Sequence, residues 1–336
     1  MLGCAGGDSN EGDPREAPEA ADSGRRTGGG ADDGRSESGE SRRFPPVEAE
    51  LRNVHFEAAP GIVLRIRRLR GQLVPTEPDR PPVFDEPQSF RLRVAEGEVA
   101  IDADSLRVLV DEHVFGPEHP VRQVEVSFEQ DRLVVEGNLR KVVPIPFHME
   151  ARPRVSEGGG ILLEPVVLKS AGLPVKGLLE LFGLELVEMM NADEARGIEV
   201  RDNRMILHPR GVLPPPRLDG SVTAVAVEDG LLVQRLGPLP APQSRGDLST
   251  SPLEPPRRAV PNYQLFRGGV LRFGQLTMEP ADLMLVDADP EDPFLFSLAR
   301  YQRQLVAGYS KTLPDGGLVT RMPDADEAEE ADLDPR

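Results

Sequence analysis

The chain has 336 residues, 38% of hydrophobic type and 4% aromatic, with no Trp, 33 Gly, 34 Pro and a net charge of −18. No apolar run approaches the ~18–20 residues that span a bilayer, and so acidic a chain is a poor sequence-independent ligand for nucleic-acid phosphates. One Cys excludes a disulfide framework and a cysteine-built structural zinc site.

Residues 1–43 carry ten acids and six Arg, and residues 323–336 carry seven acids and one Arg. Both ends are nearly free of large apolar side chains. They cannot bury enough surface to offset ordering entropy, so both are expected to be disordered. Near the start, Leu2-Gly3-Cys4-Ala5 resembles the end of a bacterial lipoprotein signal, in which the Cys becomes the acylated first residue. The basic and apolar regions that precede such a Cys are missing, as a start placed inside the signal would explain. On this reading Cys4 is the lipidation site and the rest of 1–43 is a flexible tether.

Val54 and Phe56 alternate with polar residues, and Ile62, Leu64 and Ile66 share one face of a strand whose other face carries Arg65 and Arg67. Residues 75–88 are Pro-rich and turn-forming. Phe90–Val94 and Glu98–Ile101 are expected to pair as two strands. A helix begins at Asp102 or Asp104, either of which can cap it. Ala103, Leu106, Leu109, Val110, His113 and Val114 fall within about 140° of one another on its wheel. Gly116-Pro117 stops it. His113, on that stripe, reads as a core histidine. From Val121 to Leu168 the pattern is a meander of antiparallel strands, with Pro144 and Pro146 marking an edge or bend.

Gly172-Leu173-Pro174 opens a second helix over about 175–190. Leu178, Phe182, Leu186 and Met189 line its main apolar face, while Leu181 and Leu184 lie among its charges, so it is apolar beyond one face. Gly197–His208 reads as a hairpin, and Ser221–Val227 with Leu231–Leu236 as another through Glu228-Asp229-Gly230. Residues 238–260 form a Pro-rich linker. A β-rich extension over 261–322 follows, with strands near 263–266, 270–273, 276–278 and 283–286, a helix from Pro293 to Val306 capped by Asp292, and a last strand at Leu318–Arg321.

No nucleophile elbow, phosphate loop, zinc-protease helix or dinucleotide fingerprint occurs, and the five histidines show no metal-ligand spacing. Asp287–Pro293 starts like a calcium loop but has Asp292 at the sixth place and Leu298 at the twelfth, so its acids read as a solvated turn and a cap. No metal, no cofactor and no catalytic residue is expected.

The order of elements resembles the LmeA-type phospholipid-binding family of the bacterial envelope, over about residues 95–237. The resemblance rests on Ser105–Leu109, Val124–Phe128, Leu133–Gly137, Ile161–Pro165 leading through Ala171-Gly172-Leu173-Pro174 into the second helix, Gly197–Val200 and Gly230–Val233. It implies an α+β fold in which a long curved antiparallel sheet wraps one or two amphipathic helices, tubular-lipid-binding-like, with an apolar trough for acyl chains.

The expected protein is a periplasmic, membrane-anchored lipoprotein that binds or transfers a phospholipid or other acyl-chain lipid without covalent catalysis. Its folded body covers 44–237, and Leu178, Leu181, Phe182, Leu184, Leu186 and Met189 line the groove. The alternatives are a structural envelope lipoprotein acting through a protein partner, and a hydrolase of unknown type.

Overall fold

The computed structural model describes residues 43–115, 121–139, 144–170, 197–201, 204–239 and 260–333. The long amphipathic helix expected at 175–190 and Cys4 lie outside the described residues.

The alternating segments near the start build three long strands: β1 (Val47–Ala59), β2 (Ile62–Pro75) and β3 (Phe90–Asp102). They form a meander that turns first at Gly61, whose φ of 76° suits a tight reversal. Phe90–Val94 and Glu98–Ile101, expected to pair with each other, are instead one strand, since β2 supplies partners along its whole length, from Leu64↔Ile101 to Pro75↔Phe90. The register with β2 skips Arg67 and Ala95. Each skip flips the side-chain parity, so Ile62, Leu64 and Ile66 share the buried face with Leu69 and Leu73.

Asp102 caps α1 (Ala103–Val108), as expected; its carboxylate accepts the Ser105 N–H at 2.8 Å. Arg65 donates to the same carboxylate at 2.9 Å, and Ser105 Oγ accepts the Val63 N–H, so the helix start is tied to β2. Although burial pulls it upward, these donors hold the Asp102 carboxyl below its ordinary pKa. The helix continues as a π-helical turn over Leu109–Phe115; the side chain of His113 lies outside the described residues.

The expected meander follows as β4 (Val121–Glu129), β5 (Arg132–Leu139), β6 (Ile145–Val155) and β7 (Ile161–Ser170). Pro146 pairs with β5 one residue beyond the end of β7, where its missing N–H costs no ladder bond. The hairpin β8 (Ile198–Arg201) and β9 (Arg204–Leu207) adds to β7. These six strands form a sheet of their own, in the order β4-β5-β6-β7-β9-β8, rather than continuing the first.

Helix α2 (Pro209–Val212) and β10 (Arg217–Asp219) bring the chain back to the N-terminal half of β3. The second hairpin, β11 (Ser221–Glu228) and β12 (Leu231–Gly237), turns through Asp229 and Gly230, both at positive φ, and pairs with the C-terminal half of β3.

The strands after 260 are β13 (Tyr263–Gly268), β14 (Leu271–Phe273), β15 (Leu276–Met278) and β16 (Ala281–Asp287), close to expectation. Most of this extension joins the first sheet. β13 adds to the free edge of β1, and β16 adds to β13. The helix expected from Pro293 does not form there. Phe294–Ser297 is strand β17, parallel to β1, with Phe294 and Phe296 both at 0% exposure. Beyond Arg52 the edge of β1 has no β13 partner, and an alternating aromatic segment fills that edge better than a helix would. Asn53 marks the change of partner with a φ of 49°, and its amide donates to Asn262 Oδ1 at 2.6 Å.

Helix α3 is confined to Tyr301–Ala307, and β18 (Tyr309–Thr312) and β19 (Leu318–Met322) complete the edge. The acidic segment expected to be disordered forms α4 (Ala325–Leu333). Ala325 and Ala328, one turn apart, are buried, while Asp326, Glu327 and Glu329 stay exposed. Small apolar residues at that spacing let an otherwise charged helix dock.

The described residues are therefore mostly strand. An eleven-stranded, curled and chiefly antiparallel sheet faces the six-stranded one, and the described helices are short. One hydrophobic core spans both sheets. The Pro-rich segment 75–88 contributes to it through Phe84, 3% exposed, whose ring lies 5.2 Å from those of both Phe266 and Phe273.

Candidate functional site

The facing sheets enclose an apolar cavity of about 140 Å³. Its wall on the large sheet comes from Leu64, Val99 and Ile101 on β2 and β3, and from Leu232 and Leu236 on β12. The opposite wall is the inner face of the meander: Val124 and Val126, Leu133 and Val135, Phe147 and Met149, and Ile161 and Leu163. The period-2 pattern of each strand points these pairs inward. Leu106 and Leu109 of the helical segment line it as well, as do Val212 and Leu213 beside α2. The described polar residues at the cavity are Gln234 and Arg204; Arg204 is half-exposed and reaches Glu164 at 3.4 Å.

Among the described residues the lining holds no nucleophile, base or metal ligand, and it suits hydrocarbon. At about 140 Å³ the cavity matches the ~150 Å³ voids that hold one benzene-sized guest, and falls short of the ~300–1,000 Å³ usual for a complete ligand. A second apolar cavity of about 50 Å³ adjoins it between β1, β2, β3 and the segment 213–218.

Two polar clusters lie elsewhere. On the outer face of the meander, Glu125, Glu136, His148 and Lys169 stand in one cross-strand row along an open depression of about 560 Å³. His148 bonds Glu136 at 2.7 Å and Glu150 at 3.3 Å, and the Glu136 bond first of all raises its pKa. Both ring nitrogens are thereby engaged by carboxylates.

Near the C-terminal strands, Asp287 is 1% exposed and accepts from Asn262 Nδ2 at 3.0 Å and from the Asp289 N–H at 3.0 Å. Asp289 in turn accepts the Glu291 N–H. Both oxygens of Asp287 and one of Asp289 are thus spent on the local backbone and on Asn262. No group of three His, Cys, Asp or Glu among the described residues is placed to hold a metal ion.

The six residues expected to line the groove, Leu178, Leu181, Phe182, Leu184, Leu186 and Met189, lie outside the described residues. One wall of the cavity lies on strands within 121–168, and sequence reasoning missed the opposite wall and the segment 213–218. The signal for that wall was present, in the apolar alternation of β2 and β3, but alternation does not say which sheet a strand will face. No protein-family model, no curated protein and no solved structure matches this chain.

Proposed function

We propose that this chain is an envelope lipoprotein, anchored through Cys4 in the periplasm, that binds or transfers an acyl-chain lipid such as a phospholipid without covalent catalysis. The observation that carries the reading is the cavity between the two sheets, whose described lining residues are almost all hydrocarbon and include no catalytic group. Burial of acyl chains there is favoured by about 0.8 kcal/mol per methylene. In the same proposal the amphipathic segments 102–116 and 175–190 lie within the curve of the sheets, with Leu181 and Leu184 adding to the lining. A cavity of about 140 Å³ holds only part of a chain, so loading a lipid requires the interior to widen.

The test is native mass spectrometry of protein purified from cells, joined to a transfer assay between liposomes. A co-purifying lipid and protein-dependent transfer are expected. Absence of both overturns the proposal.

One observation favours a second reading, a structural lipoprotein with a protein partner. Edge strand β18 is exposed at all four residues, with Tyr309 63% exposed and nearby Val306 86% exposed, and an open edge of this kind can take up an added strand. A crosslinking pull-down that recovers one stoichiometric partner, without lipid, would decide for it.

A further inference from the structure

The two apolar cavities share four side chains: Leu64 and Val99 on β2 and β3, Leu213 just after α2, and Leu218 within β10. We infer that they are two halves of one tunnel for a single straight hydrocarbon chain, partitioned by Leu213 and Leu218, and that the smaller half sets the preferred chain length. This rests on the lipid-binding reading above and adds the shape of the ligand.

Three features of the fold support it. First, the apolar face is continuous beneath both cavities. The register skip at Ala95 brings Leu92, in the smaller cavity, onto the same face as Val99 and Ile101 in the larger. From Ile101 to Leu92 is about 30 Å of strand at ~3.3 Å per residue. One leaflet of a bilayer whose core is ~30 Å thick gives a lipid chain about 15 Å, so an extended chain fits lengthwise. Second, neither cavity alone accommodates such a chain, at about 140 and 50 Å³, and joining them is the first part of the widening that loading requires.

Third, the partition is loosely held. Pro214, Pro215 and Pro216 have no N–H to give to a ladder. The segment is fastened beyond them, by β10 on β3 and by Asp219, which faces Arg91 at 3.3 Å and Arg210 at 3.0 Å. Leu213, which precedes β10, can therefore swing away from Leu218 while the sheet keeps its hydrogen bonds.

The smaller cavity has room for about two methylenes, taking each as near a water molecule's ~30 Å³ share. Each methylene denied burial weakens binding about fourfold.

The experiment measures dissociation constants of straight-chain fatty acids with 4 and 18 carbons for the full chain and two variants; on the same measure the larger cavity alone takes about four carbons. Ala58→Leu fills the smaller cavity, which Ala58 lines, and leaves the larger one untouched. It is expected to weaken the 18-carbon acid about 15-fold and to leave the 4-carbon acid within twofold. Leu213→Ala thins the partition and is expected to tighten the 18-carbon acid several-fold; it tests the proposal even if Ala58→Leu fails to fold, as far-UV circular dichroism would reveal. Equal shifts for both acids, or no shift in folded variants, overturn the tunnel but leave lipid binding standing. Failure of the unaltered protein to bind either acid overturns both.

Discussion

Asp324 offers the sharpest test of the packing at the C-terminal edge. Its carboxylate accepts the Leu295 N–H at 2.8 Å and so pins β17 to the start of α4. Burial, and then the nearby charges of Asp287, Asp292 and Asp326, outweigh that bond and push its pKa up to about 7 from 3.8. A carboxyl raised in the folded state holds its proton after the unfolded chain has lost it. Its contribution to stability is therefore full below about pH 4, declines as pH rises, and is lost above about pH 7. Three units at 1.36 kcal/mol each set a ceiling of about 4 kcal/mol. Coupling to Asp287, itself raised to about 6, and local relaxation bring the expected effect nearer 2 kcal/mol.

Asn at 324 keeps the oxygen that accepts from Leu295 and removes the charge. In urea unfolding at pH 8, Asp324→Asn is expected to be more stable than the unaltered protein by about 2 kcal/mol, and indistinguishable from it at pH 4. Glu157→Gln, at an exposed turn, makes the same charge change and controls for net charge. A gain of equal size at both pH values, or a loss at pH 8, would refute the reasoning.

Phe84→Ala should cost about 3–5 kcal/mol in the same assay, because five aromatic rings surround that side chain and the loop carrying it cannot collapse into the gap. Gly71→Ala would place a methyl 2.2 Å from the Arg93 carbonyl oxygen, forcing β2 and β3 apart, and should cost about 2–3 kcal/mol with a lowered thermal midpoint. Replacing Leu181 and Leu184 together by Glu should remove co-purifying lipid while circular dichroism stays unchanged; retention of lipid in the folded variant would take those two residues out of the proposed lining.

The local elements were largely legible in the sequence. Alternation is a property of neighbouring residues, so the strands of the meander and the hairpin through Asp229-Gly230 could be read from the chain alone, and the helix cap could be narrowed to Asp102 or Asp104. Legibility failed where a segment's fate depends on a distant partner. Phe294–Ser297 carries a proline and an acid before it, as a helix start would, yet it forms a strand because β1 leaves an edge open beyond Asn53. The acidic segment after 323 has little local reason to fold, but Ala325 and Ala328 find a surface on which to dock.

The same division holds for the cavity. Which residues are apolar, and which of them share a strand face, was decided by the sequence through the two-residue period of the extended chain. That the face carrying Leu64 and Val99 would meet the face carrying Leu133 and Val135, with Leu213 and Leu218 closing one end, was decided only by tertiary structure. Hydrophobic burial requires an apolar face to be covered but is non-directional, and it does not specify by what.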